Sequence, residues 1–507
     1  MHNASLRTRK IWLIIFGCFT LSTVFVLYGP AGRLLNTLNT HSYSYLYFAP
    51  RTIAQPLTNT EQEAIAVPIL MYHGVRVRGE LGTNTTRENF IAHLEMLKRE
   101  GYQTISVHEY DLFRKGEYLL PSKPIIITFD DGRKDSFYTV DEVLRKLGFK
   151  ATIFMATIKS DENDPFFLNW EELQKAKDTG RWEIEAHGKR SHDEVPIDGQ
   201  GATGRYLTSL IYNPSTGLES AVDFEQRVRK DYEEGIKDLK THLGIDAKYY
   251  AVPLNDYGSF ENSNYDKALD INKALTKEYF TLAFIEALDK NNQVFETFYN
   301  YKDTDPHKLK RLEVKNMTDD DLKRALDTFA PSEPNLTYPM LGATNDSFPL
   351  AQVLYGEFLT TPSELRVFTV GTSTAARTLV GDRGWQNYTV EATIRNTGAR
   401  ETSMVLYYFD EDNYLLLDWD ANSVEFLERV DGVEEEIVAH VPHVPNDVAD
   451  VTVQATLKDG LVSVTFDGVQ LVNEHPTRLV RGAPGFGVWD PNGNEIHITS
   501  LSITSSK

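Results

Sequence analysis

Two stretches of the chain bring acid and imidazole groups into patterns that could do chemistry. Thr128-Phe129-Asp130-Asp131-Gly132 closes the apolar run that begins at Ile125. Adjacent carboxylates at a strand end are costly unless a metal, a cation or a proton neutralises one of them. Neighbouring side chains diverge on extended backbone, so one Asp can face a metal while the other faces substrate or water. Gly132 then allows a sharp turn. The plainer reading of this stretch is an ordinary loop with a helix cap. In the second stretch, Trp182-Glu183-Ile184-Glu185-Ala186 leads into His187-Gly188-Lys189-Arg190-Ser191-His192. On a helix this i,i+5 spacing would not align the two imidazoles, so a turn at Gly188 must bring them together. Two His and one Asp make a divalent-metal triad that leaves a position open for water or substrate. Two unrelated surface histidines are the alternative.

The elements needed to position these residues are readable between about 67 and 340. Apolar strands at Ile69–Met71, Ile125–Phe129, Ala151–Met155 and Trp182–Ala186 alternate with amphipathic helices. One helix carries Phe90, Leu94 and Leu97 on a single face, and another carries Val140, Val143, Leu144 and Leu147. That alternation predicts a largely parallel sheet with helical connections. Periodicity leaves a barrel and an open sheet both open, and either places chemistry beyond the carboxyl ends of the strands. After about 340 the helical period disappears. Short alternating runs follow, from Tyr388–Arg395 to Ile496–Ile503, punctuated by Asp459-Gly460, Asp467-Gly468 and Asn492-Gly493, which predicts a two-sheet sandwich.

Residues 128–132 and 187–192, with the opening Pro68-Ile69-Leu70-Met71-Tyr72-His73-Gly74-Val75, carry a resemblance. The chain resembles the polysaccharide deacetylases, the NodB-homology or carbohydrate esterase family 4 group, over roughly 67–315. Its opening is similar to that of the exported branch acting on poly-N-acetylglucosamine. The resemblance implies a distorted (β/α) barrel, with Asp131, His187 and His192 as metal ligands and Asp130 as general base. The implied cofactor is one divalent ion, zinc first, with cobalt, nickel or manganese also compatible. Tyr250-Ala251-Val252-Pro253-Leu254 resembles the family's third motif, in which the backbone N–H after the proline, here that of Leu254, holds the oxyanion. The family's upstream Arg and its aromatic residue after the proline are missing, and Lys248-Tyr249 and Leu254 stand in that neighbourhood. Arg311, in Arg311-Leu312-Glu313-Val314, is the expected substitute for orienting Asp130. The family's late Leu-x-Leu-His is also missing. His307 is the candidate general acid, and His73 is a second contributor or a neighbouring packing residue.

Composition bounds the partners. The 507 residues carry a net charge of −21, which excludes a general nucleic-acid binder. A single Cys allows no internal disulfide. An uncharged run over 11–28 follows Arg7, Arg9 and Lys10, and as a helix it would span about 27 Å. It predicts a transmembrane anchor, with residues after 30 outside the cytoplasm and the membrane as a partner. A cleaved signal with secretion, or lipid attachment at Cys18, are the alternatives. The expected division is an anchor or signal over 1–30, a stalk over 31–64, a deacetylase domain over 65–340 and a junction over 341–364. A sandwich similar to laminin-G or concanavalin-like jelly rolls follows over 365–507. Trp419, Trp489, Asp490 and Asn492 could form a glycan-binding surface there, with a core role as the other reading of the tryptophans.

The expected function is an exported, metal-dependent hydrolase that removes N-acetyl groups from a glycan polymer, with poly-N-acetylglucosamine as one candidate. The alternatives are a catalytically weak carbohydrate-binding or surface-assembly protein on the same fold, or an O-acetyl esterase. The sequence says nothing of oligomeric state.

Overall fold

The computed structural model describes residues 64–506 apart from 78–81, 259–262, 288–296, 316, 339–350, 362–363, 372 and 443–449. The chain divides into two compact units, the first comprising residues up to 287 with 300–323, and the second 288–299 with 324–507.

Seven strands of the first unit form its barrel: β1 (Ala66–Tyr72), β2 (Pro124–Phe129), β3 (Ala151–Met155), β4 (Trp182–Ala186), β5 (Tyr249–Ala251), β6 (Leu282–Glu286) and β7 (Leu309–Glu313). They pair in parallel in the order β1-β7-β6-β5-β4-β3-β2, and β2 returns to β1 with Ile69 opposite Ile126 and Tyr72 opposite Phe129. The sheet is therefore closed into a barrel rather than left open. Closure removes the exposed edges that an open sheet would leave. Six longer helices connect or cover the strands: α1 (Arg87–Arg99), α2 (Val107–Lys115), α3 (Asp141–Leu147), α4 (Trp170–Asp178), α5 (Ala221–Leu243) and α6 (Ala268–Tyr279).

Alternation along the strands decides what the barrel holds. Val67, Ile69, Ile126, Phe154, Tyr249, Leu282, Phe284 and Leu309 pack together with Val107 and Tyr110 of α2. Helix α2 is set by a Ser106–Glu109 capping box, and its first amides, those of Val107 and His108, donate to the Glu183 carboxylate on β4 at 2.8 and 3.0 Å. Since residues two apart share a face, the positions that continue these inward rows toward the strands' carboxyl ends are Asp130, His187, Glu286, Arg311 and Glu313. The lower layers, apolar apart from Glu183 and Glu185 of β4, thus lead to a polar mouth, and Asp130, His187 and Arg311, singled out from the sequence, lie in it.

The second unit consists of two antiparallel sheets. One runs Glu357–Thr360, Leu365–Phe368, Glu495–Ser505, Tyr388–Asn396, Val451–Lys458, Leu461–Phe466 and Val469–Pro476, with Asn335–Tyr338 also pairing to Glu495–Ser505. The other runs Ala351–Tyr355, Ala375–Val380, Ala483–Trp489, Glu401–Asp410, Asn413–Trp419, Ser423–Val430 and Val433–Pro442. A shared core that includes Val390, Ala392, Leu415, Leu417, Phe426, Val453, Phe486 and Ile498 fills the space between them. Asp459-Gly460 and Asp467-Gly468 have positive φ at both residues, the conformation of tight two-residue hairpin turns. The first strands of this unit, at 335–338 and 351–355, fall within the ranges expected from sequence for the end of the deacetylase domain and the junction.

Several expectations are corrected. No helix among the described residues is long and apolar enough to cross a membrane, and the run 11–28 lies outside the described residues. The anchor, the membrane as a partner and the single-pass location therefore have no support in the structure and are withdrawn. The stalk expected over 31–64 lies outside the described residues up to 63. Trp419 is 5% exposed and packs edge-on against Phe466 within the core, so it is not a surface contact for sugar. Asp490, 2% exposed, accepts the amides of Arg400, Asn492 and Asn494 and builds a turn. Trp489 is half-buried beneath the Arg400 guanidinium, 4.6 Å from the ring centre, and Asn492 is exposed. Trp419→Ala should cost about 3–5 kcal/mol through the cavity it leaves. Trp489→Ala should cost about 1 kcal/mol or less. Denaturant titration of the full chain carrying each substitution checks this contrast.

Candidate metal centre

Strand β2 delivers both aspartates. The Asp130 amide still donates to Tyr72 O across the sheet at 3.1 Å, so Asp130 keeps the inward direction of the strand. Asp131 and Gly132 both take a φ of 73°, which lifts Asp131 out of the strand row and over the mouth. A Cβ on Gly132 would lie 1.9 Å from the Met155 sulfur of β3, so the turn passes too close to its neighbour for any other residue without displacement.

Strand β4 delivers the imidazoles. His187 continues the inward row of Glu183 and Glu185, and its amide donates to Met155 O at 3.0 Å. Gly188, with φ 78°, makes the turn required by the spacing. The following amides of Lys189 and Arg190 donate to the two oxygens of Asp231 on α5, at 2.9 and 2.7 Å, and this hold brings His192 back beside His187. Burial pushes the Asp231 carboxyl up to about 6, against the pull of those two amides. Nothing in the sequence signals that a carboxylate of α5 anchors the loop between the two imidazoles.

The ligand atoms of Asp131, His187 and His192 lie within 4.8 Å of one another. His187 Nδ1 is 2.8 Å from Ala251 O, which fixes it as the donor and leaves Nε2 with its lone pair toward Asp131. The two Nε2 atoms stand 3.7 and 3.4 Å from Asp131 Oδ1, too far for good hydrogen bonds, and that oxygen is buried without a partner. Donors about 2.1 Å from a tetrahedral ion are about 3.4 Å apart, so the separations and the orphaned oxygen both fit a divalent metal. Burial drives His187 down to about 4, although Asp130 and Asp131 pull it the other way. It is therefore neutral and able to ligate at ordinary pH.

Asp130 is kept separate from this set by Arg311, whose Nη1 and Nη2 donate to Asp130 Oδ1 and Oδ2 at 2.6 and 2.8 Å. Nη1 also reaches Thr128 Oγ1 at 3.1 Å, and the guanidinium lies over the Phe154 ring. Asp130 and Arg311 are 3% and 1% exposed. Burial alone would raise the Asp130 pKa, but the Arg311 charge and its hydrogen bonds, with His187 and His73 behind them, bring it down to about 2.

Around the mouth, His73 follows β1, with its Nδ1 3.6 Å from Glu313 Oε1, and Lys315 holds the other Glu313 oxygen at 2.7 Å. Glu286 lies opposite Arg311 in the strand register; burial, then the charges of Glu313 and Asp130, raise its carboxyl. Neither glutamate was singled out from the sequence, although their place at i+2 and at a strand end was the available signal. Leu254 adopts φ 57° in the turn after β5. His307 is a correction: it precedes β7, and its Nε2 is 2.8 Å from Phe280 O, which precedes β6. It sits at the amino-terminal ends of the strands, opposite the mouth, and cannot reach a leaving group there.

Removing one partner of the buried pair strands the other. Arg311→Met should destabilise the protein by about 3–5 kcal/mol, and adding Asp130→Asn should recover a large part of that loss. Because Asp130 is held below its unfolded value, the pair's contribution is present above about pH 4 and lost as pH falls toward 2. A double-mutant cycle by denaturant titration at neutral and acid pH measures both effects.

Comparison with known proteins agrees with this site. The polysaccharide deacetylase family profile matches residues 119–274, which contain both aspartates and both histidines. YxkH of Bacillus subtilis (strain 168), named as a polysaccharide deacetylase, is 40% identical over 96 residues, covering 19% of this chain and 33% of its own. The poly-beta-1,6-N-acetyl-D-glucosamine N-deacetylase of Escherichia coli (strain K12) is 20% identical over 268 residues, 48% of this chain and 39% of its own. The chain thus spans between a third and two-fifths of the length of these curated relatives. A solved de-N-acetylase from Aggregatibacter actinomycetemcomitans covers 52% of this chain and 100% of its own, at 17% identity and a TM-score of 0.44. The matched profile runs through the turn of β2 and the loop of β4, so residues 119–274 carry a polysaccharide deacetylase domain.

Proposed function

We propose that the first unit removes acetyl groups from the amino sugars of a glycan polymer, and the observation that carries this reading is the Asp131–His187–His192 triad beside an Arg311-held Asp130. A divalent ion, zinc in the first instance with cobalt, nickel or manganese as substitutes, would supply polarisation of the acetyl carbonyl and a water acidic enough to attack near neutral pH. Asp130 takes the proton as the water oxygen bonds to the carbonyl carbon. Arg311 keeps the carboxylate ionised and aimed. A carboxylate near 2 is a weak base, so its contribution is position, and the proton it accepts passes onward rather than accumulating. The Leu254 amide donates to the oxyanion that forms. His73, on the rim beside Glu313, protonates the departing nitrogen as the C–N bond breaks, releasing acetate and an amine. Poly-N-acetylglucosamine is the first polymer to test, since an E. coli relative is named for it. In the second unit, a laminin-G-like or concanavalin-like glycan-binding role rests on its paired antiparallel sheets, with Trp489 and Asn492 as the remaining candidate contacts.

A second reading, an O-acetyl esterase, is favoured by the placement of His307 away from the mouth. Amide cleavage needs a proton delivered to nitrogen more than ester cleavage needs one at oxygen. Zinc-loaded full-length protein should release acetate from N-acetylglucosamine oligomers, and chelation should abolish release. Asp130→Asn should lower the rate by about 10²- to 10⁴-fold while metal stays bound. His73→Ala should lower amide hydrolysis by about 10²-fold or more and hydrolysis of 4-nitrophenyl acetate by less than about tenfold. Acetate from O-acetylated glycan alone would establish the esterase. Acetate from neither would leave a carbohydrate-binding protein on a deacetylase fold.

A further inference from the structure

The chain beyond His192 does not simply leave the site. Glu194–Pro196 and Thr203–Arg205 pair as an antiparallel hairpin, and the Tyr206 amide returns to Asp193 O at 2.9 Å, one residue from the His192 ligand. At the hairpin's end Arg205 Nη1 donates to Asp256 Oδ2 at 2.6 Å. Asp256 is 7% exposed, and its Oδ1 accepts the Gly258 amide at 2.8 Å. Asp256 closes the turn that contains Leu254.

That turn has reason to need holding. Leu254 and Asn255 are consecutive non-glycine residues with φ of 57° and 51°. Each such residue costs on the order of 1–2 kcal/mol and persists only where its surroundings over-determine it. Three ties are visible. At entry the Val252 amide donates to Phe284 O at 2.9 Å, and in the middle Asn255 Oδ1 accepts the Glu286 amide at 2.9 Å. At exit the Arg205 guanidinium holds the Asp256 carboxylate from the hairpin side. Arg205 itself is not on a loose arm. Arg227 of α5 donates to the carbonyls of Tyr206 and Ser209 and lies over the Tyr206 ring, while Asn272 of α6 donates to Leu207 O at 3.0 Å.

We propose that Arg205 is a positioning residue for the Leu254 backbone amide, acting through Asp256, so that one short hairpin couples the His192 ligand loop to the oxyanion donor. The catalytic part of this inference rests on the deacetylase mechanism proposed above. The structural part does not. If the pair sets the turn, its loss weakens stabilisation of the oxyanion, which forms in amide and ester hydrolysis alike. That pattern differs from loss of His73, which falls on amides.

The test uses full-length protein with Arg205→Met, Arg205→Lys and Asp256→Asn. In Arg205→Met, hydrogen–deuterium exchange of residues 254–258 should speed by about tenfold or more, while exchange in β3 and zinc affinity stay at parental values. On N-acetylglucosamine oligomers and 4-nitrophenyl acetate alike, kcat should fall on the order of 10- to 100-fold with KM unchanged. Arg205→Lys should recover most of both effects, and Asp256→Asn, which keeps the hydrogen-bonding shape, should fall between. Unchanged exchange at 254–258 in Arg205→Met would overturn the proposal. So would faster exchange throughout the unit, which would assign Arg205 to general stability; if Arg205→Met does not fold, Asp256→Asn decides by the same two readouts. A parent that releases no acetate from any substrate would refute the proposed function and leave the exchange result to decide the role of Arg205.

Discussion

A guanidinium and a carboxylate, both almost wholly cut off from solvent, meet at the mouth of the first unit's barrel, and the geometry of the site follows from that pair. Two neighbouring aspartates end β2. Bringing both out of water without compensation would cost more than the strand could supply. Arg311 compensates Asp130 with two short hydrogen bonds and a full charge. Asp131 is thereby left as the acid without a partner, turned away by its positive φ toward two imidazoles. The division of labour between adjacent carboxylates is therefore imposed by one cation on another strand.

That strand sets more than one group. Leu309, Arg311 and Glu313 alternate inward along β7, so the residue that packs the core, the one that holds Asp130 and the one that approaches His73 share a single backbone. The parallel register of β7 with β1 and β6 places them against the ends of strands that carry His73 and Glu286. A short sheet slip would move every inward group to the outer face. The apolar layers below, with α2 docked onto Glu183, hold that register and so fix the mouth at a distance.

The sequence was informative where local pattern and local chemistry coincide. The strands at 125–129, 151–155 and 182–186, the turn demanded at Gly188 and the Asp-Gly hairpins of the second unit all follow from period and from residue type, and the structure has them. Closure of the barrel was legible only through the family resemblance and not from periodicity, because it depends on pairing between β1 and β2, and pattern does not say which strands become neighbours. His307 was misplaced for a related reason: its late position in the chain said nothing about which end of β7 it would occupy. Glu286, Glu313, Asp231 and Arg205 were passed over because each matters through a partner far along the chain. Trp419 carries the same composition signal whether it lies in a core or on a binding face, and only the facing sheet decides between them.

The strain in the mouth follows a pattern. Asp131, Leu254 and Asn255 all take left-handed backbone conformations, and all three lie in turns just beyond the carboxyl ends of strands, where strand hydrogen bonds on one side hold the chain. The proposed ligand set is Asp131, His187 and His192, with Asp130 outside it. Zinc-edge X-ray absorption on metal-loaded full-length protein tests it directly. The predicted first shell contains two imidazole nitrogens and oxygen ligands at about 2.0–2.1 Å, unchanged when Asp130 is replaced by Asn. A shell with fewer than two imidazoles, or one that loses an oxygen ligand in Asp130→Asn, would contradict it.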